Sequence, residues 1–423
     1  MKLPPSNPPA GDDDPSGLAA KFDRRDVLRG LGALGAWSFL PSAARLSDEG
    51  PTLVLLQLTG GNDGLSTVVP YADDAYRRAR PTIAHDEKAV LALDDYRGLH
   101  PALEFLRRTY DQGGLAIVEG VGYPDPIRSH FKSFDVWHTA DPRGRSTGEG
   151  WIGRCCAASI ETESRVPELV VHVGRELPFS LHSERIPAVA FRTPEGYRWL
   201  GTGEELVEVG ESASEGAPKK EAEPESSGRD AVLERLSGGL HDAHESSTRV
   251  RGAVAAYRPR AEYPRSEFAN SLRTVAALVD ARIGTRVASV ELRGFDTHGG
   301  QKTAHDNLMR ALDQGLAAFV ADLEKHGNGG RVVVMAFSEF GRRVKENASR
   351  GTDHGTAGPM FVLGAGVRGG LHGRHSSLAE LDDGDLVHTT DFRSVYTSVI
   401  GRCLGPEAAR TIVGAPPALD LFA

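Results

Sequence analysis

Cysteine is scarce in this sequence, with three among 423 residues, at Cys155, Cys156 and Cys403. Two are neighbours and none forms a C-x-x-C frame, which argues against a disulfide scaffold and a thiolate zinc site. All three read as small buried apolar residues. Long apolar runs are missing too: none approaches the roughly 18 residues that a membrane span needs. Excess positive charge is a third absence. The formal net charge is -9, and residues 201–230 alone hold nine acids against three bases. The rest is near neutral and has no Lys/Arg stripe, so no nucleic-acid partner is expected. What is present, 39% apolar and 25% charged residues, predicts a soluble globular protein.

The N-terminus changes character abruptly. Residues 1–20 are rich in Pro, Gly and Asp without apolar period, and read as disordered. Asp23-Arg24-Arg25-Asp26-Val27-Leu28-Arg29 then precedes the uncharged stretch Gly30 to Leu40 and the small residues Ser42-Ala43-Ala44. That order is basic region, short apolar region and cleavage site. It resembles a twin-arginine export signal, which implies the twin-arginine translocase as a partner, folding before export, and a periplasmic or extracellular location. The alternative, an amphipathic helix, has to accommodate Gly30, Gly32 and Gly35. Residues 1–44 are therefore expected as leader and 45–423 as one mature α/β domain.

Within the mature chain, short apolar runs predict strands at Leu53–Leu58, Leu115–Val118, Leu169–Val173, Val189–Phe191, Val287–Leu292, Val332–Phe337 and Met360–Leu363. Helical patterns fall between several of them: Leu99–Tyr110, Arg128–His138 and Lys302–Lys325. Continuous apolar strands alternating with amphipathic helices predict a three-layer α/β fold, a mostly parallel sheet with helices on both faces. The acidic stretch 201–228 has too few apolar residues to pack and reads as a flexible insertion. Residues 230–284 read as a helical subregion.

Ligands of open α/β sheets sit beyond the carboxyl ends of the strands. The first strand runs into Thr59-Gly60-Gly61-Asn62-Asp63-Gly64, and Val287–Leu292 runs into Phe295-Asp296-Thr297-His298. Val332–Phe337 ends in Ser338-Glu339-Phe340-Gly341-Arg342, and Gly351-Thr352-Asp353-His354-Gly355 precedes Met360. Acids and histidines on four strand-adjacent loops can meet at one cation, and a set of carboxylate oxygens and ring nitrogens without Cys suits Zn²⁺, Mn²⁺, Mg²⁺ or Ca²⁺. Each has a plainer reading. An Asp before Gly forms turns, and Glu339 can pair with Arg342 or Arg343. Ser129 opens a helical stretch and can be its N-cap, with His130 beside it as a packing residue.

Five motifs in order, Leu58–Gly64, Arg128-Ser129-His130-Phe131, Phe295–His298, Ser338–Arg342 and Gly351–Gly355, resemble the exported bacterial domain-of-unknown-function family 1501, related to the alkaline phosphatase and sulfatase superfamily. The resemblance implies a metal-dependent hydrolase of phosphate or sulfate esters with two divalent ions. It implies Asp63, Asp296, His298, Asp353 and His354 as ligands, Glu339 as ligand or orienter, and Ser129 as nucleophile, with His130 as a candidate base and Arg128 to grip the oxygens of the phosphate or sulfate. The Asp-x-His spacing is shorter than the superfamily's, and the distal histidine is His305, His372, His375 or His388. A noncatalytic exported binding protein on the same fold is the other reading.

Overall fold

Strands and helices alternate as expected in the computed structural model, which describes residues 50–145, 148–159, 166–197, 243–412 and 414–423. The leader, the insertion at 201–228 and the first part of the 230–284 helical stretch lie outside the described residues. The main sheet is built from β1 (Thr52–Thr59), β2 (Leu115–Gly122), β3 (Val170–Val173), β4 (Ala188–Phe191), β5 (Val287–Arg293), β6 (Val332–Phe337), β7 (Gly358–Gly364) and β8 (Gly370–His372). Their spatial order is β8-β2-β7-β6-β1-β5-β3-β4. Every neighbouring pair on this path is parallel except those of β7, which runs antiparallel to both β2 and β6. A two-stranded hairpin, β9 (Leu381–Asp382) and β10 (Asp385–Leu386), stands apart from the sheet, and β11 (Thr390–Asp391) pairs with β2.

Both faces of the sheet are covered. Val54, Leu56 and Leu58 of β1 pack in one apolar cluster with side chains of α1 (Glu104–Asp111), α5 (Glu267–Ala281) and α6 (Gln301–Lys325). Leu53 and Leu55 alternate to the opposite face and are equally buried. That face is covered by α2 (His130–Thr139), α3 (Trp151–Ser159) and α7 (Phe392–Cys403), joined by the stack of Trp151 on Tyr396 at 3.9 Å and by Trp137 against Phe392 at 4.6 Å. Between α3 and α5 in sequence, residues 243–256 form α4. Cys155, Cys156 and Cys403 are free and buried. In α6, Met309, Leu312, Leu316, Phe319 and Leu323 are buried, the period-3.6 stripe of a helix lying on a sheet. Each such side chain contributes about 1.5–3 kcal/mol when removed from water. The helix expected from Leu99 starts later than its pattern suggests, at Glu104, because Gly98 and Leu99 pair with Val69 and Val68 in a small separate sheet.

The antiparallel β7 decides where the loops go. Because β7 is reversed, the segment entering it lies at the same edge as the segments leaving β1, β5 and β6. Two reversals restore the direction of β2, so the chain leaving β2 toward α2 emerges there too. Backbone hydrogen bonds knit these segments together: Phe295 N to Thr59 O at 3.2 Å, Arg343 N to Asp353 O at 3.0 Å, and Gly341 N to Thr356 O at 2.7 Å. Gly60, at φ +120°, lies so close to the backbone of Phe295 and Asp296 that a Cβ would collide with it.

Asp63, expected among the metal ligands, is instead part of this framework. Its side chain is fully buried against Arg80, with Arg80 Nη2 donating to Oδ1 at 2.9 Å and Nη1 to Oδ2 at 2.5 Å. Ser66 and Gln301 also donate to Oδ2. Burial alone would raise its pKa, but Arg80 outweighs burial and holds the carboxyl far below its ordinary 3.8. A fully buried carboxylate held by a guanidinium, a hydroxyl and an amide is already neutralised and lies within the framework, away from the histidines expected as ligands. Because the folded pKa is depressed, the stabilisation this group provides is fully present above 3.8 and is lost as pH falls below it. Arg80→Ala should therefore destabilise the chain by about 3–5 kcal/mol in urea denaturation at neutral pH, since it strands a buried carboxylate. Asp63→Asn should flatten the decline in stability below about pH 4 relative to the parent.

Candidate metal centre

The loop after β5 delivers Asp296 and His298, the loop before β7 delivers Asp353 and His354, and the first residue of α2 is His130. Three imidazoles converge on one carboxylate oxygen. Asp296 Oδ1 lies 2.9 Å from His298 Nε2, 3.1 Å from His354 Nε2 and 3.5 Å from His130 Nε2. The Nε2 atoms of His298 and His354 are 2.9 Å apart. A tetrahedral ion with bonds near 2.0–2.1 Å would set its ligand atoms about 3.3 Å apart, close to this spacing.

The opposite ring nitrogens are all committed. His130 Nδ1 meets Glu339 Oε1 at 2.8 Å, His298 Nδ1 meets Asp353 Oδ1 at 3.2 Å, and His354 Nδ1 meets the Arg128 carbonyl at 2.9 Å. Each partner is an acceptor, so each Nδ1 is assigned the proton, and a neutral ring then carries its lone pair on Nε2. Lone pairs facing one another and an anionic oxygen repel unless a cation lies among them. An outer acceptor on Nδ1 is the usual device that fixes the tautomer and orientation of metal-binding histidine. Asp353, expected as a ligand, and Glu339, expected as ligand or orienter, are therefore both placed to orient the rings of a metal-bound set. Glu339 is fully buried and also accepts from Gly60 N at 2.9 Å. Asp353 also accepts from Asn347 Nδ2 at 3.1 Å.

Asp296 is 48% exposed on its side chain, so the cluster opens to solvent. Burial would raise its pKa, but the hydrogen bond from Arg342, first among the groups that favour its charged form, helps bring it down to about 2, and it is ionised at any physiological pH. Arg342 is the organiser behind it. Its buried guanidinium donates to Asp296 Oδ1 at 2.7 Å, Phe295 O at 2.9 Å, Gly61 O at 2.8 Å and Thr352 O at 2.8 Å, and also to Gly60 O. Phe340 packs its ring 4.8 Å from both His130 and His354.

Other expectations fare differently. Arg128 is not free to grip an anion: it donates to Asp383 Oδ2 at 3.0 Å and contacts Asp385. Ser129 occupies the N-cap position of α2 with extended backbone, but its hydroxyl makes no cap hydrogen bond. None of the four distal candidates joins the cluster. His305 is buried on Asn62 at 3.1 Å, His372 bonds Arg368 O at 2.8 Å, His375 bonds Glu119 at 3.1 Å, and His388 lines a neighbouring cleft. His130, read from the sequence as a base or packing residue beside Ser129, is the histidine that joins the cluster instead.

Besides His130, Asp296 and His354, whose ligand atoms lie within 4.8 Å of one another, a second group, His85, His100 and Asp306, gathers possible donor atoms. There His100 Nδ1 accepts from Ala102 N at 3.0 Å, so Nε2 carries the proton and donates to Asp306 at 2.8 Å. That nitrogen has no lone pair to offer, and the group reads as a buried hydrogen-bonded network.

A mostly parallel α/β sheet with a histidine and carboxylate centre at its carboxyl edge defines the class. The chain belongs to the family described as "Protein of unknown function (DUF1501)", which matches residues 116–401. No curated protein matches it. Among solved structures it is similar to a protein in the alkaline phosphatase superfamily from Vibrio parahaemolyticus, at 9% identity and a TM-score of 0.38 over 94% of this chain and 80% of that one. It is also similar to Ps i-CgsB in complex with k-i-k-neocarrahexaose, at 10% identity and a TM-score of 0.36 over 84% and 72%. A third is the PH0037 protein from Pyrococcus horikoshii, at 12% identity and a TM-score of 0.32 over 75% and 87%. Likenesses this remote assign no residue of this chain a role.

If Glu339 and Asp353 orient without ligating, Glu339→Gln and Asp353→Asn should each weaken metal affinity by about tenfold to a hundredfold, whereas Asp296→Ala and His354→Ala abolish stoichiometric binding. Competition titration against a chromophoric chelator separates the two classes.

Proposed function

We propose that the chain is an exported, metal-dependent hydrolase of phosphate or sulfate esters that holds one divalent cation through His130, Asp296, His298 and His354. The observation that supports this is the convergence of three Nε2 atoms on Asp296 Oδ1, with every Nδ1 bound to an acceptor. Three imidazoles and one carboxylate suit Zn²⁺ or Mn²⁺ better than Mg²⁺ or Ca²⁺, which prefer all-oxygen shells. When bound, such an ion supplies Lewis acidity and a lowered pKa for a coordinated hydroxyl or water.

The chain's own groups would do the rest. Ser129 precedes the ligand His130 and its hydroxyl is not spent on capping, so it is available for in-line attack on phosphorus or sulfur. The first N–H groups of α2 have no intrahelical acceptor and can hold negative charge that develops beside it. Arg342, committed to four carbonyls, keeps Asp296 in place. The twin-arginine-like leader extends the proposal to export through the translocase and a periplasmic or extracellular site of action. The second reading, a noncatalytic binding protein, draws support from Arg128 and Asp63, whose charges are already neutralised by Asp383 and Arg80.

Elemental analysis of chain purified without chelator should find one divalent ion, lost in Asp296→Ala. Turnover of aryl phosphate, phosphodiester and sulfate panels should fall by about a hundredfold or more in Ser129→Ala if the serine attacks. Metal-free protein of unchanged stability would overturn the proposal; bound metal with no turnover on any panel would favour the binding reading.

A further inference from the structure

Three histidines that take no part in the candidate metal centre are buried together. His85, His100 and His305 are 7%, 1% and 1% exposed. The ring of His100 stands edge-on to His85, with centroids 4.5 Å apart, and tilts against His305 at 5.6 Å. The stack joins two parts of the chain: His85 and His100 belong to the segment 84–100 that leads toward α1, and His305 lies in the second turn of α6. Lys302 Nζ to Ala84 O at 3.3 Å and His100 Nε2 to Asp306 at 2.8 Å cross the same seam.

The hydrogen bonds require His100 and His305 to be neutral. His100 Nδ1 accepts from Ala102 N at 3.0 Å, so a second proton on that ring would face an N–H donor. His305 Nε2 meets the acceptor Asn62 Oδ1 at 3.1 Å and is assigned the proton. Its buried Nδ1 has no hydrogen-bond partner among the described residues, and a proton there would place a charge in the interior with nothing to accept it. The charged and titratable groups around the stack are Lys302, Asp306 and Arg310 of α6, Asp63 after β1, and the Tyr76 hydroxyl, which accepts from His85 N at 3.1 Å. Lys302 and Arg310 oppose a positive ring, and Asp63 is neutralised by Arg80. Asp306 alone is left to balance a charge, and it is already bonded to His100. Burial accordingly pushes all three rings below the ordinary 6.5, His85 to about 4 and His305 to about 3.

We propose that His85, His100 and His305 form an acid-sensitive catch, in which proton uptake opens the seam between segment 84–100 and the first turns of α6. Gln301, one turn before His305, accepts from Thr297 and Thr352 and donates to Asp63. Opening therefore reaches the two loops that carry Asp296, His298 and His354. That consequence rests on the metal-binding reading of those loops; the catch itself does not. The open state takes up protons as pH falls through 6.5, whereas His85 in the closed state resists until about 4. Closure is thus complete above 6.5 and weakens below it by about tenfold per pH unit for each histidine freed. This window lies above that of Asp63, whose contribution is lost below 3.8.

Hydrogen exchange of the full chain between pH 6.5 and 5, expressed as protection factors to remove the intrinsic pH dependence, measures the opening. Peptides from 84–100 and 301–309 are expected to lose protection by about tenfold or more per pH unit. Those of α3 and α7, on the opposite face of the sheet, should keep theirs. His305→Gln retains an N–H for Asn62, His100→Asn retains an acceptor for Ala102 N, and neither new side chain takes up a proton in this range. Each should reduce the loss by about tenfold per pH unit. No loss between pH 6.5 and 5, a loss spread evenly over the chain, or an unchanged loss in both variants would overturn the catch. The first two are read on the parent alone, so a variant that fails to fold does not remove the test. Metal content measured on the same samples separates the two readings. Localised opening in a chain that takes up no metal keeps the catch and removes the hydrolase, while bound metal with an even loss does the reverse.

Discussion

The guanidinium of Arg342 is the constraint on which the candidate site depends. It leaves the β6 end and reaches carbonyls on the loop after β1, the loop after β5 and the loop before β7, and then the Asp296 carboxylate. Arg carries five N–H donors in a rigid fork, and here the fork serves as a template for loops that share no secondary structure. A lysine offers three donors on a flexible stem and could not hold these acceptors in one plane. Each carbonyl left without a donor in this buried place would cost about 1–3 kcal/mol. The loops would then be free to separate, and with them the histidines.

A second buried ion pair lies deeper and has a different task. Arg80 and Asp63 tie the turn after β1 to the segment after Arg342 through the carbonyls of Arg343 and Val344, at 2.9 Å each. Gln301 carries the connection onward, accepting from Thr297 at 3.1 Å and Thr352 at 2.6 Å. Two guanidiniums in series thus fix the edge of the sheet, one facing the core and one facing the site. Breaking a buried pair by removing one partner is costly even where the pair adds little net stability. The network therefore specifies loop geometry more than it adds to the free energy of folding.

Much of the fold was legible because a sheet covered on both faces writes itself as apolar runs: Val332–Phe337 is buried at every position. The placement of acids and histidines at strand ends was legible for the same reason, since strand ends could be read off. What could not be read was which charged groups neutralise each other. Asp63 looked like a ligand until Arg80, seventeen residues on, was brought against it, and Arg128 looked like an anion clamp until the hairpin presented Asp383 and Asp385. These pairings arise from tertiary contacts with no spacing rule. His130 was undervalued for the opposite reason: its role depends on Glu339, 209 residues away, holding its ring. The reversal of β7, which puts the Asp353–His354 loop at the productive edge, left no local mark beyond the strand itself.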